Sequence, residues 1–297
     1  MTVRRLATAA ARRAAVYDNW LSDRRLSSAI AHHESGPVLV LSPHLDDAVL
    51  SCWSALTAAS SVAVVNVFAG LPRAGFVTVW DRTCGARESR AQALERIVED
   101  RAALELAGRA PVNLRFLEEQ YRTWRPPPSF SRLDAAIARA VPAASVVLAP
   151  LGAQHADHRR IRCYGQALCA GGLPVRLYAD LPYVAPLGWP HWVTGTPPRD
   201  RLDVDAYWEP WLRAVPEIEG PRAAHVRALD ADEAAGKLEA MRRYGSQFPA
   251  LDAGDLAVLS NPLVHPFEVF WDLVPRPRAA GAPAEAGDRL SATTSGR

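Results

Sequence analysis

Two short segments of the sequence, far apart along the chain, combine histidine with aspartate. Their side chains can hold a metal ion or exchange protons, and they are His44, Asp46, Asp47, His155, Asp157 and His158. Two histidines and one carboxylate are a ligand set of catalytic zinc, and they leave a coordination position open for water. His44 and Asp47, with one histidine of the second segment, would supply such a set. The side chains left over would provide the acid and base that metal-assisted hydrolysis requires.

Each segment directly follows a short apolar run that is typical of a buried strand. The run at 37–44 leads into the first segment, and the run at 144–152 leads into the second. Ligands of an open parallel sheet bind outside the carboxyl ends of its strands, so we expect both segments at one edge. Either motif alone would more often be structural, and helix capping would explain Asp46 or Asp47 by itself. Their conjunction at one predicted edge favours a metal site.

Apolar runs alternate with helical stretches between residues 37 and 182, which predicts βαβ units. Further strands are predicted at 61–70, 113–117 and 175–182, and helices at 48–59, 86–108, 131–141, 158–169 and 229–247. We therefore expect an α/β fold with a doubly wound, Rossmann-like, mostly parallel sheet and helices on both faces. A Pro/Trp-rich C-terminal excursion follows residue 182. Its tryptophans could stack on a sugar, but we favour packing onto the domain.

The chain is expected to contain a helical N-terminal lead-in at 1–36, a single domain at 37–274 and a disordered tail at 275–297. The tail is rich in Pro, Ala and Gly, a composition that disfavours a packed core. No apolar run is long enough to predict a membrane span. The four cysteines lack a Cys-x-x-Cys spacing, so we expect neither disulfides nor a thiolate–zinc site, and we expect a cytoplasmic protein.

The charge balance argues against a charged macromolecule as the main partner. The 297 residues carry a formal net charge of +2, which gives no strong electrostatic attraction to nucleic acid or to an anionic membrane. The sequence leaves the oligomeric state open.

The two motifs, in this order and each after a strand, resemble those of the LmbE/PIG-L family of metal-dependent N-acetylglucosaminyl deacetylases. The family's first motif is His-Pro-Asp-Asp-Glu, and here Leu45 and Ala48 replace its proline and glutamate. The variant SPHLDDAVLS resembles one branch of the family. The second motif, His-x-Asp-His, matches in full at 155–158. The resemblance covers residues 37–182, and the Tyr-x-Ser-Gln segment at 244–247 is similar to one found near the C terminus of family members.

The resemblance implies a zinc site, with Fe²⁺ or another divalent metal as the alternative. Its ligands would be His44, Asp47 and His158. Asp46 would act as the general base on the attacking water. His155, in its protonated form, would act as general acid or would stabilise the oxyanion, and Asp157 would orient His155.

The resemblance also indicates residues that would contact the substrate, a small-molecule glycoside or glycoconjugate. Arg96 would correspond to the family's sugar-contacting arginine and Glu118 to a later acidic residue. Tyr121 and Arg122 are further candidates, because they follow a predicted strand and border the same sheet edge. Some members carry a tyrosine that helps to hold the oxyanion, and Ala153 occupies that place here.

The function implied is the hydrolysis of a linear amide C–N bond, which removes an N-acyl group, preferably acetyl, from an amino sugar or its conjugate. An amidase of thiol–sugar conjugates and a deacylase of natural-product sugars would use the same site. A non-catalytic relative that only binds metal is another alternative. Non-haem iron oxygenases share the ligand set but are expected on a β jelly roll, and a nucleotide-binding Rossmann domain would show GxGxxG after the first strand.

Overall fold

The computed structural model describes residues 26–122, 125–196, 203–218 and 224–275. Most of the predicted lead-in and nearly all of the predicted tail therefore lie outside the described residues. The described end of the lead-in is extended, and it contains a short strand at Ala31–His32 where a helix was predicted. Asp134 explains the difference, because its carboxylate accepts hydrogen bonds from the Ser28 hydroxyl at 2.7 Å and the Ala29 N–H at 2.6 Å. These bonds hold the segment against the domain.

A seven-stranded sheet forms the centre of the molecule. The described strands are β1 (Ala31–His32), β2 (Val38–Ser42), β3 (Val62–Asn66), β4 (Pro111–Asn113), β5 (Ala143–Ala144), β6 (Val146–Pro150), β7 (Val175–Tyr178), β8 (His225–Ala228) and β9 (Phe267–Asp272). Of these, β1 and β5 pair with each other in a separate two-stranded sheet. The large sheet has the order β4-β3-β2-β6-β7-β9-β8. Its pairings from β4 to β7 are parallel, whereas β9 runs antiparallel to both β7 and β8. The prediction of an α/β fold with a mostly parallel sheet is confirmed.

Helices connect the parallel strands. They are α1 (Asp47–Ser51), α2 (Trp53–Ala58), α3 (Val79–Thr83), α4 (Ser89–Glu105), α5 (Phe130–Ala140), α6 (Ala156–Ala170), α7 (His191–Thr194), α8 (Val204–Arg213), α9 (Ala231–Arg242) and α10 (Phe248–Leu251). A 3₁₀ turn covers Glu119–Tyr121. Among the described residues, none of the helices combines the length and the apolar character that a bilayer crossing requires.

The central strand shows why the parallel strands could be recognised in the sequence. Leu39, Val40 and Leu41 of β2 are fully buried, because β3 and β6 flank the strand and helices cover the sheet. A strand buried on both faces reads as a continuous apolar run.

Several boundaries differ from the predictions, and three of the differences have a visible cause. The predicted helix at 48–59 is divided into α1 and α2, because the Glu268 carboxylate accepts the Trp53 and Ser54 N–H groups and gives α2 its own N-terminus. The predicted strand at 113–117 is wrong, since β4 covers Pro111–Asn113 and the chain leaves the sheet after pairing with Val64–Asn66. The helix predicted to begin at Ser131 begins at Phe130, and the Ser129 side chain caps it.

The C-terminal part contributes a strand to the sheet and aromatic rings to the core. Trp271 of β9 is fully buried, and its ring lies 6.4 Å from that of Trp208, which is also fully buried. Trp189 packs on Trp208 at 5.4 Å between ring centroids. These tryptophans of the excursion therefore act as core, as favoured from the sequence.

A buried ion pair ties this C-terminal part to the rest of the fold. The Lys237 ammonium of α9 lies 2.8 Å from a carboxylate oxygen of Glu268 in β9, and both side chains are fully buried. The same carboxylate accepts the N–H groups at the start of α2. Glu268 therefore joins β9, α9 and the helix pair that follows the first histidine motif.

Candidate metal centre and active site

The first motif lies in the turn between β2 and α1. The Ser42 hydroxyl donates to the His44 carbonyl at 2.6 Å and accepts the Ala48 N–H at 3.1 Å, which closes the turn. The His44 N–H in turn donates to an Asp47 carboxylate oxygen at 2.8 Å. These local bonds fix the positions of both side chains.

The second motif lies between β6 and α6. Gly152 has a φ of +76°, and a Cβ at this position would lie 3.0 Å from the Arg159 Cα, so the turn requires glycine. His155 caps α6, and its Nδ1 accepts the Asp157 N–H at 3.2 Å. His158 follows in the first turn of the helix. The predicted convergence of the two motifs at the carboxyl edge of β2 and β6 is what the structure shows.

Three potential ligand atoms form a small triangle at this edge. His44 Nδ1 lies 3.2 Å from His158 Nε2 and 3.5 Å from Asp47 Oδ2, and His158 Nε2 lies 3.3 Å from Asp47 Oδ2. Zinc bonds of about 2.0–2.2 Å in a tetrahedron place neighbouring ligand atoms roughly 3.3–3.6 Å apart. The spacing therefore fits one small divalent ion. His155 offers a further nitrogen within 4.8 Å of ligand atoms of His44 and His158, and Asp46 offers a further oxygen within 4.8 Å of those of His44 and Asp47.

Hydrogen bonds on the far side of each ring orient the two histidines. His44 Nε2 lies 3.3 Å from Asp157 Oδ2, and His158 Nδ1 lies 2.9 Å from Asp180 Oδ2. Each carboxylate accepts an N–H from its histidine, so the lone pairs of His44 Nδ1 and His158 Nε2 point to the shared centre. Metal-binding histidines are held in this way.

The electrostatics of the triangle favour a cation. Burial would lower the pKa of His158, but Asp47 and Asp180 outweigh it and raise that pKa to about 10. Burial would raise the pKa of Asp47, but His158 and His44 lower it to about 2. Buried carboxylates around two histidines thus hold positive charge at this point, which a metal dication would also supply.

Asp46 is buried beside the triangle but does not cap α1, since its side chain makes no hydrogen bond to the first turn. The capping explanation of this residue is therefore wrong. Burial and the neighbouring Asp47 carboxylate raise the pKa of Asp46 to about 6. A carboxylate with this pKa can take up and return a proton near neutral pH.

His155 is held as a neutral hydrogen-bond donor. Burial, together with the nearby His44 and His158 rings, lowers its pKa to about 2. Because its Nδ1 accepts the Asp157 N–H, the proton of the neutral ring is on Nε2. The expected protonated form differs from this arrangement, since two neighbouring rings and burial disfavour a second positive charge.

Asp157 does not orient His155 through its carboxylate, contrary to expectation. Its Oδ2 contacts His44 and accepts the Glu119 N–H at 2.8 Å, and its Oδ1 accepts from Arg122 Nη2 at 2.6 Å. The charge of Arg122 draws the carboxylate to this side. Asp157 therefore orients the metal-ligand candidate His44.

A known protein family matches the part of the chain that carries both histidine motifs. The family model PIG-L, described as GlcNAc-PI de-N-acetylase, matches residues 39–168, a range that contains both histidine motifs. Residues 39–168 therefore form a PIG-L domain. A sequence comparison with curated proteins gives no match.

Solved structures resemble this chain over most of its length. A deacetylase–bog complex from the biosynthesis pathway of teicoplanin is 25% identical with a TM-score of 0.60, over 80% of this chain and 98% of that chain. The zinc-inhibited form of teicoplanin deacetylase is 24% identical with a TM-score of 0.59, over the same shares. The A40926 pseudoaglycone deacetylase is 24% identical with a TM-score of 0.58, over 83% of this chain and all of that chain. These structures share the fold.

The candidate substrate contacts of this protein are engaged with other side chains. Arg96 forms a buried ion pair with Glu118, and its charge acts on Asp46. The Tyr121 hydroxyl donates to the Asp81 carboxylate at 3.0 Å. Arg122 donates to Asp157, as described above, and to the Leu117 carbonyl at 2.7 Å. Their contacts with a substrate remain predictions.

Two residues of this site were missed in the sequence, and both follow β7. Asp180 holds His158, and Tyr183 lies with its ring against His155 and His158. The signal for Asp180 was present, because it lies near the carboxyl end of the strand predicted at 175–182, at the same sheet edge; the observed strand ends at Tyr178. Tyr183 lies in a loop and carried no such signal.

Proposed function

We propose that this PIG-L family protein is a metal-dependent hydrolase that removes an N-acyl group, with acetyl preferred, from an amino sugar of a glycoside or glycoconjugate. Water cleaves the amide C–N bond and releases a free amine and a carboxylate. The triangle of His44, Asp47 and His158 carries the proposal, because its spacing, ring orientation and charge all fit one divalent ion. Zinc is the proposed ion, with Fe²⁺ or another divalent metal as the alternative.

A bound divalent ion would lower the pKa of water and polarise the amide carbonyl. The carboxylate of Asp46 takes the proton from the attacking water and returns it to the departing nitrogen. The neutral His155 ring donates its Nε2–H to the carbonyl oxygen as negative charge develops there. Of the two roles expected for His155, its neutral form favours this stabilising one.

The substrate side is proposed by analogy with the solved deacetylases. One of them is a complex with teicoplanin, so a natural-product glycoconjugate belongs among the candidates together with simple N-acetylamino sugars and thiol–sugar conjugates. Arg96 and Glu118 would contact the sugar. The non-catalytic alternative is disfavoured, because a metal-binding site alone would not require Asp46. The jelly roll expected for an oxygenase is not the fold of this chain.

Residues 37–274 are proposed as one catalytic domain. A cytoplasmic location is proposed from the four free cysteines, which suit a reducing compartment.

Metal analysis and a free-amine assay test the function together. The purified protein is stripped with a chelator, reloaded with zinc, and assayed on N-acetylamino sugars, thiol–sugar conjugates and teicoplanin-type conjugates. We expect one zinc ion per chain and amine release that disappears with the metal. Stoichiometric zinc without release from any amide would support the non-catalytic alternative.

A further inference from the structure

Tyr183 lies directly beside the two histidines of the second motif. Its ring centroid is 4.7 Å from that of His158, in an edge-on arrangement, and 5.6 Å from that of His155. It comes from the segment after β7, which neither histidine motif includes. A third part of the chain thus reaches the same centre.

The backbone around Tyr183 is fixed to both motif-bearing segments. The Leu181 N–H donates to the Ser51 hydroxyl of α1 at 3.0 Å. The Tyr183 carbonyl accepts from Gln154 Nε2 at 2.8 Å. Asp180, three residues earlier, accepts the Gly152 N–H at 3.1 Å and holds His158. The ring is therefore positioned by the site itself.

The side chain of Tyr183 lies against the two histidine rings of the second motif. A phenol keeps its O–H at neutral pH, because the ordinary pKa of tyrosine is about 10. Among the described residues, the hydrogen bonds of Tyr183 run through its backbone carbonyl. The hydroxyl is thus a neutral donor that remains available to a bound molecule.

Stabilising an oxyanion at this centre calls for a second hydrogen-bond donor besides His155. Asp46 and Asp47 can only accept while ionised, and Arg96 is paired with Glu118. His155 Nε2–H is one donor, and an oxyanion is stabilised most effectively by two or more donors that are fixed in advance.

We propose that Tyr183 is a further catalytic residue, whose phenolic O–H donates to the oxygen of the scissile amide as negative charge develops on it. The proposal rests on the proposed function. The proton stays on the phenol, so no bond other than those of the hydrolysis is made or broken. The ring contacts with His155 and His158 place the Tyr183 side chain beside both histidines.

The test compares Tyr183→Phe with Tyr164→Phe. The first variant keeps the ring and its packing but removes the hydroxyl at the site. The second removes a buried hydroxyl of α6 that donates to Asp134 at 2.9 Å, away from the triangle. Removal of one oxyanion donor typically lowers kcat about 10²–10³-fold. We expect a loss of at least tenfold in kcat for Tyr183→Phe, with KM and zinc affinity nearly unchanged, and wild-type kcat for Tyr164→Phe.

A binding measurement separates this proposal from the proposed function. Calorimetry gives the affinity of each zinc-loaded protein for a methylphosphonamidate analogue of an N-acetylamino sugar, which carries tetrahedral anionic oxygens. We expect at least tenfold weaker binding for Tyr183→Phe. Equal binding and equal kcat for Tyr183→Phe and wild type would overturn the role of Tyr183. Failure of the wild type to release amine, with binding still weakened by Tyr183→Phe, would overturn the hydrolase function and leave the donor in place.

Discussion

The parallel part of the sheet, from β2 to β7, and the C-terminal part, from Leu181 to residue 275, contribute differently to the site. In the parallel part each metal-ligand candidate follows a strand within a few residues, so the strand and its turn position it locally. In the C-terminal part β9 pairs antiparallel with β7 across a long stretch of sequence. The C-terminal part contributes Trp271 to the core and Glu268 to the start of α2. The metal-ligand candidates thus come from the parallel part, whereas the C-terminal part mainly contributes to the core. Tyr183, at the start of the C-terminal part, contacts the site.

Asp46→Asn should produce the largest effect and is confined to the parallel part. The amide cannot take a proton from water, so turnover should fall roughly 10²–10⁴-fold. Zinc content should remain at the wild-type level, because Asp46 is not among the three ligand candidates. Steady-state amine release, with metal analysis of the same sample, measures both quantities. Near-wild-type turnover would rule out this role for Asp46.

Lys237→Met should break the C-terminal support without disturbing the chemistry. It leaves the Glu268 carboxylate buried without its cation, and removal of one partner of a buried pair costs about 3–5 kcal/mol. Urea denaturation should show this loss in the free energy of unfolding. The double variant Lys237→Met/Glu268→Gln should lose less, since no charge remains buried.

An exposed ion pair provides the control for this experiment. Arg213 and Glu209 are paired on the surface of α8, and Arg213→Met should change the free energy of unfolding by less than about 1 kcal/mol. Zinc affinity should be equal in all these variants under folding conditions. A change of more than tenfold in Lys237→Met would show that the two parts are not separate.

Asp180→Ala should lower zinc affinity more than it lowers turnover at saturating zinc. The His158 ring loses the acceptor that orients it, so zinc affinity should fall about 10–100-fold. At saturating zinc most of the turnover should return. Competition with a zinc chelator measures the affinity, and Asp272→Ala, which removes an exposed carboxylate of β9, is the control. Unchanged zinc affinity in Asp180→Ala would exclude the orienting role.

Asp100 should give a smaller, pH-dependent effect where the two parts touch. The Tyr244 hydroxyl and Asn66 amide donate to its carboxylate, but burial outweighs them and raises its pKa from 3.8 to about 8. The folded protein thus keeps a proton that the unfolded chain releases above about pH 4. This stabilisation is complete below about pH 4 and is lost as pH rises through about 8.

The pH dependence of the free energy of unfolding tests the direction of this pKa shift. Between about pH 4 and pH 8 the free energy of unfolding should decrease by up to about 1.4 kcal/mol per pH unit relative to Asp100→Asn. Urea denaturation of both proteins between pH 5 and 8 measures the difference. A constant difference across that range would contradict the raised pKa of Asp100.

The sequence allowed much of the parallel part to be predicted, for a physical reason. Strands such as β2 are buried on both faces and therefore read as apolar runs, and the ligand candidates His44, Asp47 and His158 follow strands directly. The partners that orient them depend on contacts between distant segments. Arg122 holds the Asp157 carboxylate near His44, and no local sequence pattern predicts this contact between Arg122 and Asp157.

In the C-terminal part the helix at 229–247 was predicted, but the two strands were not, for a related reason. β8 is exposed along its whole length, and β9 is recognised only by its pairing with β7 and β8. Glu268 divides a predicted helix into α1 and α2 from more than two hundred residues away. The alternation and periodicity of apolar residues indicate only local burial, so they do not predict contacts between residues this far apart in the sequence.

Anomalous diffraction from a zinc-loaded crystal, recorded at the zinc edge, tests the central claim most directly. We expect one strong peak at the carboxyl edge of β2 and β6, about 2.0–2.2 Å from His44 Nδ1, Asp47 Oδ2 and His158 Nε2. A peak bound to other side chains, or no peak at this edge in a crystal that contains zinc, would contradict the account.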